Sequence, residues 1–146
     1  MATADVGVSL TLSVRDERAL IANLHRYDDA IVADVVATNV ETSEAIRALA
    51  FQLAPVDRDV MRQKIKVAMS PSGLVFEVGY DDRDFISEGL EPYYWFQELG
   101  FTHYQSGEFI RNPHLEPAHR AYEAPHRAAI RQRVQRSIQQ LSVRTR

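Results

Sequence analysis

Residues 28–55 read DDAIVADVVATNVETSEAIRALAFQLAP. Ile31, Val32, Val35, Val36, Val40, Ile46, Leu49, Ala50 and Leu53 recur mostly at steps of three or four, with Asp28, Asp29, Asp34, Glu41, Glu44 and Arg47 between them. That spacing lines one face of a helix and leaves charge on the other. It predicts a helix over 28–53 of about seven turns, ~39 Å long, although its Val-rich first half has only middling helix propensity. Pro55 ends it, because the residue before a proline is pushed out of the helical region.

Outward from this helix the apolar period changes to two. Val8, Leu10, Leu12 and Val14 alternate with Ser9, Thr11 and Ser13, which predicts a strand, and Asp16 before Leu20, Ile21 and Leu24 predicts a short capped helix. Downstream, Ile65, Val67 and Met69, a Ser70-Pro-Ser-Gly73 turn, and Leu74, Phe76, Val78 and Tyr80 predict a hairpin. Asp81, Asp82, Arg83 and Asp84 read as an acidic loop. Gly89 and Pro92 bracket a break before Tyr93, Tyr94, Trp95 and Phe96. Four consecutive aromatics cannot all face one core: either some lie at an interface, where Trp and Tyr are enriched, or the run is a strand buried on both faces. Residues 100–107 read as a loop. Ile130, Val134, Ile138 and Leu141 then mark one narrow helical stripe, and Pro125 predicts a break, with a short helix near 118–122 and a second starting at Pro125. The whole reads as α+β: an antiparallel sheet of three to five strands on one long helix, as a core domain over 1–116, with a basic helical extension over 117–146.

The 146 residues include no cysteine, 45% apolar and 25% charged side chains, the composition of an ordinary globular domain that builds its core without disulfides. No apolar run approaches the ~20 residues of a membrane span, and residues 1–10 lack a basic segment followed by an apolar one. A soluble protein made in a reducing cytoplasm is therefore expected. The net charge of −3 hides a division: residues 1–110 carry nine Lys plus Arg against eighteen Asp plus Glu, whereas 111–146 carry eight Arg against Glu116 and Glu123. An acidic body with a basic tail suits head-to-tail contact between copies or docking on an oppositely charged partner. Nucleic acid is the rival partner for the tail, and a solvated helix face is the plainest reading.

Signatures of chemistry are few. His114 and His119 are five apart with Pro117 between them, whereas two helix ligands need a separation of three or four to share a face. No metal and no cofactor are expected. The chain has no Cys nucleophile, glycine-rich phosphate loop or nucleophile-elbow Ser, and Asp81, Asp82 and Asp84 lack the further carboxylate and glycine of a calcium loop. A small enzyme using His103, His114 or His119 remains the rival to a non-enzymatic role, to be judged on pocket geometry.

Taken in order, Ala54-Pro-Val-Asp57 after the long helix, a hairpin, Tyr93, Phe96, Glu98 and Gly100, then Asn112-Pro-His-Leu-Glu-Pro-Ala118 before a closing helix form a pattern over 19–129. This resembles the tail-completion proteins of long-tailed bacteriophages, the group typified by the lambda minor tail protein Z, also found in prophages and gene-transfer particles. In that family the helix ends in Ala-Pro-Val-Asp-Thr-Gly, a Tyr-rich segment ends in Glu-x-Gly-Thr, and Pro-x-Leu-x-Pro-Ala begins the last helix. Arg58 and Asp59 stand here in place of Thr-Gly, and Phe101 intervenes between Gly100 and Thr102. The resemblance implies a virion protein of the phage neck, present in the host cytoplasm during assembly, that closes into a ring, taken as a hexamer, finishing the tail and joining it to the head. Its implied partners are further copies of itself and the adjoining adaptor, terminator and tail-tube proteins, with DNA only as cargo through the channel; a tail terminator or head-closure ring is the nearest alternative. Pro55, Asp57, Gly100, Pro113 and Pro117 fit structural turns. Tyr93, Tyr94, Trp95 and Phe96, with Arg127, Arg131 and Arg136, are the candidate contact residues.

Overall fold

A computed structural model of the protein describes residues 9–12, 29–56 and 60–144. The helix predicted after Asp16 and the turn residue Asp57 lie outside the described residues. The architecture is α+β, as the two periodicities predict. Strand β1 (Ser9–Leu12) is followed by the long helix α1 (Asp29–Leu53), a single turn α2 (Val60–Gln63), and the hairpin β2 (Lys66–Met69) and β3 (Phe76–Gly79). Then come α3 (Asp82–Ile86), α4 (Tyr94–Leu99), a ribbon of β4 (Phe101–Thr102) and β5 (Phe109–Ile110), and the closing helix α5 (Leu115–Arg144). β3 is the centre of an antiparallel sheet in the order β1-β3-β2, with Leu10 opposite Val78 and Val67 on the other side of Val78.

α1 stops where the sequence says it should, before Pro55. Its last turn leaves carbonyls without helical partners, and Arg62 of α2 supplies them: its Nε donates to the Phe51 carbonyl at 3.1 Å while the guanidinium lies over the Phe51 ring. The inward face of α1 differs from its apolar pattern. Ile31, Val35, Ile46 and Ala50 are buried, but Thr38, Asn39 and Ser43 fill the middle of the same face, and Val40 and Leu53 are 46% exposed. Burying polar groups is tolerable because each is bonded. Thr38 and Ser43 donate to the carbonyls of Asp34 and Val40 in their own helix, and Asn39 Nδ2 donates to the Gly73 carbonyl at 2.9 Å. Gly73, at φ +72°, has no room for a side chain, since a Cβ there would lie 2.8 Å from Val36. The hairpin turn is thereby seated on α1.

α5 runs antiparallel along α1. Thr42 Oγ1 and His126 Nδ1 are 2.8 Å apart, Arg133 pairs with Glu41, and Ser137 Oγ donates to Asp34 at 2.8 Å. One core joins Ile46, Ala50, Phe76, Val78, Tyr80, Phe85, Tyr94, Leu115 and Ala118; a smaller one places Ile130 and Val134 against Ile31, Val35 and Leu74. The segment 117–146, expected to extend from the body, is in its described part a wall of that body.

Four local expectations are corrected. Pro125 lies inside α5 and does not split it. An internal proline costs an isolated helix about 3 kcal/mol, but here both halves are held against α1, by Leu115 and Ala118 before the proline and by Ile130, Val134 and Ser137 after it. Ser137, not Ile138, is the buried residue of that turn. The acidic residues after Tyr80 are not a loop but helix α3, whose N-cap Asp81 accepts the Arg83 N–H at 2.9 Å. That bond, with Arg83 and Lys66 nearby, holds the Asp81 carboxyl below its ordinary range. Residues 100–107 are not a plain loop, because β4 and β5 flank their turn.

The polar middle of α1 gives a test. Asn39→Ala leaves the buried Gly73 carbonyl unpaired and is expected to lower unfolding free energy in urea by about 1–3 kcal/mol. Val40→Ala, on the exposed side, should change it by less than about 0.5 kcal/mol.

Candidate interaction face

The aromatic run is neither strand nor uniform surface; it opens a helix, and the helical period divides it. Tyr94 and Glu98, four apart, face inward at 0% and 4% exposure. Trp95, Phe96 and Leu99 face outward at 40%, 45% and 62%. Tyr93 is half-buried, with its ring edge toward Phe85 at 6.2 Å. Of the four predicted contact residues, then, Tyr94 belongs to the core: it stacks on Tyr80 at 4.4 Å between centroids and donates its hydroxyl to Asp82 Oδ1 at 2.6 Å.

Glu98 makes the joint between α4 and α5. The first four N–H groups of a helix have no partner within it. In α5 these belong to His114, Leu115, Glu116 and residue 117. Glu98 Oε1 accepts the N–H of His114 at 2.8 Å and of Leu115 at 2.7 Å, Oε2 accepts that of Glu116 at 3.4 Å, and Pro117 has no N–H to satisfy. A carboxylate also suits the positive end of the helix dipole. The His114 ring completes the site. Its Nδ1 lies 2.9 Å from Glu98 Oε1 and its Nε2 lies 2.5 Å from the Tyr80 hydroxyl. A carboxylate can only accept, so Nδ1 carries the hydrogen that faces Glu98; burial, with the Glu98 charge nearby, pushes the Tyr80 hydroxyl far above its ordinary pKa and keeps it protonated against Nε2. Burial alone would push the Glu98 carboxyl up; the His114 ring and the Leu115 and His114 N–H groups together outweigh it and hold the carboxyl below its ordinary 4.5.

The segment before α5 grips α4 in return. Arg111 Nε donates to the Glu98 carbonyl at 2.7 Å, and the Asn112 N–H donates to the Gln97 carbonyl at 2.9 Å. Between the two arms of this joint, β4 and β5 project as a ribbon. Gly100 turns α4 into it with φ +89°, and a side chain there would collide with Phe109, whose ring lies where a Cβ would come within 2.2 Å. Phe109 is 62% exposed, and the Phe101 ring meets Phe96 edge-on at 6.1 Å. Trp95 and Phe96 are stacked at 4.7 Å. The result is an exposed apolar face of Trp95, Phe96, Leu99 and Phe109 on a base tied by buried hydrogen bonds. Pro113 leads into the capped end, and Pro117 sits in the first turn of α5, where a missing N–H costs nothing.

The predicted basic residues do not form one patch. At 100° per residue Arg127 and Arg131 lie ~40° apart on α5, while Arg136 lies ~140° round from Arg131, on the other flank. All three are exposed. Arg127 pairs with Glu123 one turn earlier.

The three histidines are not brought together. His103 sits in the ribbon turn with Ser106, His114 is sealed in the joint, and His119 is partly buried on α5. Tyr80, His114 and Glu98 form a hydroxyl–imidazole–carboxylate relay, but at 5%, 0% and 4% exposure it offers no approach to a reacting carbon. A cleft lined by Gln63, Lys64, Lys66, Asp84, Ser87 and Glu88 holds none of the three. Among the described residues no group of three or more His, Asp or Glu is placed to hold a metal ion, and no helix is long and apolar enough to cross a membrane. Sequence reasoning missed the capping role of Glu98 and the packing role of His126, whose ring meets Phe76 edge-on at 5.7 Å. The signal for the first was a lone glutamate on the inward face of a short helix, ahead of a Pro-x-x-x-Pro entry into the next.

Glu98→Gln keeps the shape and removes the charge, and should lower unfolding free energy at neutral pH by about 1.5–3 kcal/mol. Stability should also fall on acidification in two windows. Burial lowers the His126 pKa from 6.5, so its contribution is complete above the unfolded value and is lost as pH falls through the folded one. Glu98 follows the same sign below 4.5. Urea titrations across pH should show the lower window flattened in Glu98→Gln and retained in His126→Phe. Compared with known proteins, the chain matches no family model, no curated sequence and no solved structure.

Proposed function

We propose that this chain is a structural virion protein of the phage neck, a tail-completion subunit that closes into a hexameric ring, finishes the tail and joins it to the head. The observation that carries the reading is the aromatic face on α4 and the β4–β5 ribbon. Trp95, Phe96, Leu99 and Phe109 are large, exposed and set beside a buried joint, and clustered exposed apolar side chains mark interaction sites. The motifs behind the family resemblance support it from a second side. Glu98 and Gly100 of one motif and Pro113, Leu115 and Pro117 of the other are the two halves of one joint, so their shared order has a physical reason. Exposed Arg127 and Arg131 against an acidic body provide the unlike faces that a closed ring requires.

A nucleic-acid-binding accessory role is the second reading, favoured by those same exposed arginines. The two differ in a direct measurement. The ring reading expects sedimentation at six times the mass of a single chain, or density for the chain in the neck of imaged particles, and duplex binding no steeper in salt than one or two phosphate contacts give. Tight duplex binding by a chain absent from particles would replace it. Deleting α5 is a poor test, because Ile130 and Val134 cover Ile31, Val35 and Leu74. Trp95→Ser with Phe96→Ser is a better one: both rings keep part of their area against the body, so the variant should stay folded with unfolding free energy lowered by about 1–3 kcal/mol and fail to enter particles.

A further inference from the structure

The proposal of a ring leaves open which surface meets which, and the side chains carry a specific answer that rests on that proposal. Glu91 stands four residues before Trp95 and Glu108 immediately before Phe109, both exposed and neither with an ion pair to a described residue. The aromatic face is anchored at the N-terminal end of α5 by Glu98. The basic flank of α5 begins at Arg127 and continues through Arg131 to Ile138, which lies within ~20° of Arg131 on the helix and is 46% exposed. At 1.5 Å per residue this flank starts ~18 Å from the capped end and reaches ~35 Å from it. It therefore cannot cover the aromatic face of its own chain.

The two surfaces are complementary in kind. A guanidinium is attracted to the face of an indole or phenyl ring, and Trp95 and Phe96 present a stacked pair. The exposed carboxylates of Glu91 and Glu108, close to these rings along the chain, are available to a second arginine. Ile138 offers an apolar end for Leu99 and Phe109. Arg127 is held only by its exposed bond to Glu123, and pairs of that kind contribute about 0.3–0.5 kcal/mol, so it is available to a better partner. Arg131 has no ion pair to a described residue.

We propose that the aromatic face of α4 and the β4–β5 ribbon of one copy receives the Arg127–Arg131–Ile138 flank of α5 from the next copy. The contact uses different patches on the two partners, so it is heterologous and propagates head to tail until it closes. Tyr94 and Arg136 have no part in it.

The test is a charge exchange read by sedimentation and mass photometry. Variant one carries Glu91→Arg and Glu108→Arg; variant two carries Arg127→Glu and Arg131→Glu. Each alone sets like charges against one another at every contact, and self-association should weaken at least about tenfold. Mixed one to one, each reversed acidic pair meets a reversed flank and each native acidic pair a native flank, so assemblies alternating the two variants should form at the wild-type mass. Wild-type assembly by either variant alone, or no recovery on mixing, overturns this contact. A chain that is found in particle necks while these variants behave so retains the ring reading without this interface. Wild-type chain that stays monomeric at high concentration also overturns the contact, and its absence from particles would remove the ring reading with it.

Discussion

One buried carboxylate sets the geometry of the joint between α4 and α5. Glu98 closes the α4 side of the joint and caps the α5 side, so the angle between a six-residue helix and a thirty-residue helix is fixed by its bonds to the His114, Leu115 and Glu116 N–H groups. A charged acceptor taken out of water is costly unless its lone pairs are filled. Here they are filled by backbone donors that would otherwise be orphaned, and by a ring that is itself held by Tyr80. The desolvation of the carboxylate and the vacancy at the helix end offset each other. The two arms share one set of hydrogen bonds, which ties Glu-x-Gly to the proline-flanked entry of α5.

Much of this was legible before any coordinates. Period-two and period-three-to-four patterns placed the hairpin and α1, and Pro55 placed the end of α1. The pattern failed where packing, not hydropathy, chose the inward side. The middle of α1 lies against the hairpin turn and α5, a space that admits Thr38, Asn39 and Ser43 and turns Val40 out. Thr38 and Ser43 donate to carbonyls of their own helix and Asn39 bridges to Gly73, which no count of apolar positions can register. The aromatic run failed differently: four large rings in succession carry no period of their own. Extending the window by three residues supplies one, since Tyr94 with Glu98 and Trp95 with Leu99 are both four apart. The local preference of Pro125 for a helix start loses to tertiary contacts on both sides of it.

Of the candidate face, residue type alone points to Trp95, Phe96 and Tyr94 alike, yet the first two are exposed and Tyr94 is core. Composition cannot separate them, because indole and phenol are enriched both at interfaces and beside buried polar partners. The arginines show the same limit. Arg127 and Arg131 fall on one flank and Arg136 on another, a distinction set by helical phase and invisible to a count of charges along the chain.

If the protein works by contact, as proposed, a rigid base matters. An exposed aromatic face on a flexible ribbon would lose conformational freedom at each encounter, and that loss weakens association. The Glu98 joint, the Gly100 turn pressed under Phe109, and the stacked Trp95–Phe96 pair fix the face before any partner arrives. The same rigidity carries a hazard, because a preformed apolar face that meets another like itself invites uncontrolled aggregation. Charge supplies the discrimination. Two aromatic faces brought together would also bring Glu91 and Glu108 against their own copies, whereas a basic flank relieves that repulsion. In the proposed ring these glutamates thus reject the symmetric pairing and admit the head-to-tail one, so the division of charge along the sequence becomes a choice of assembly symmetry.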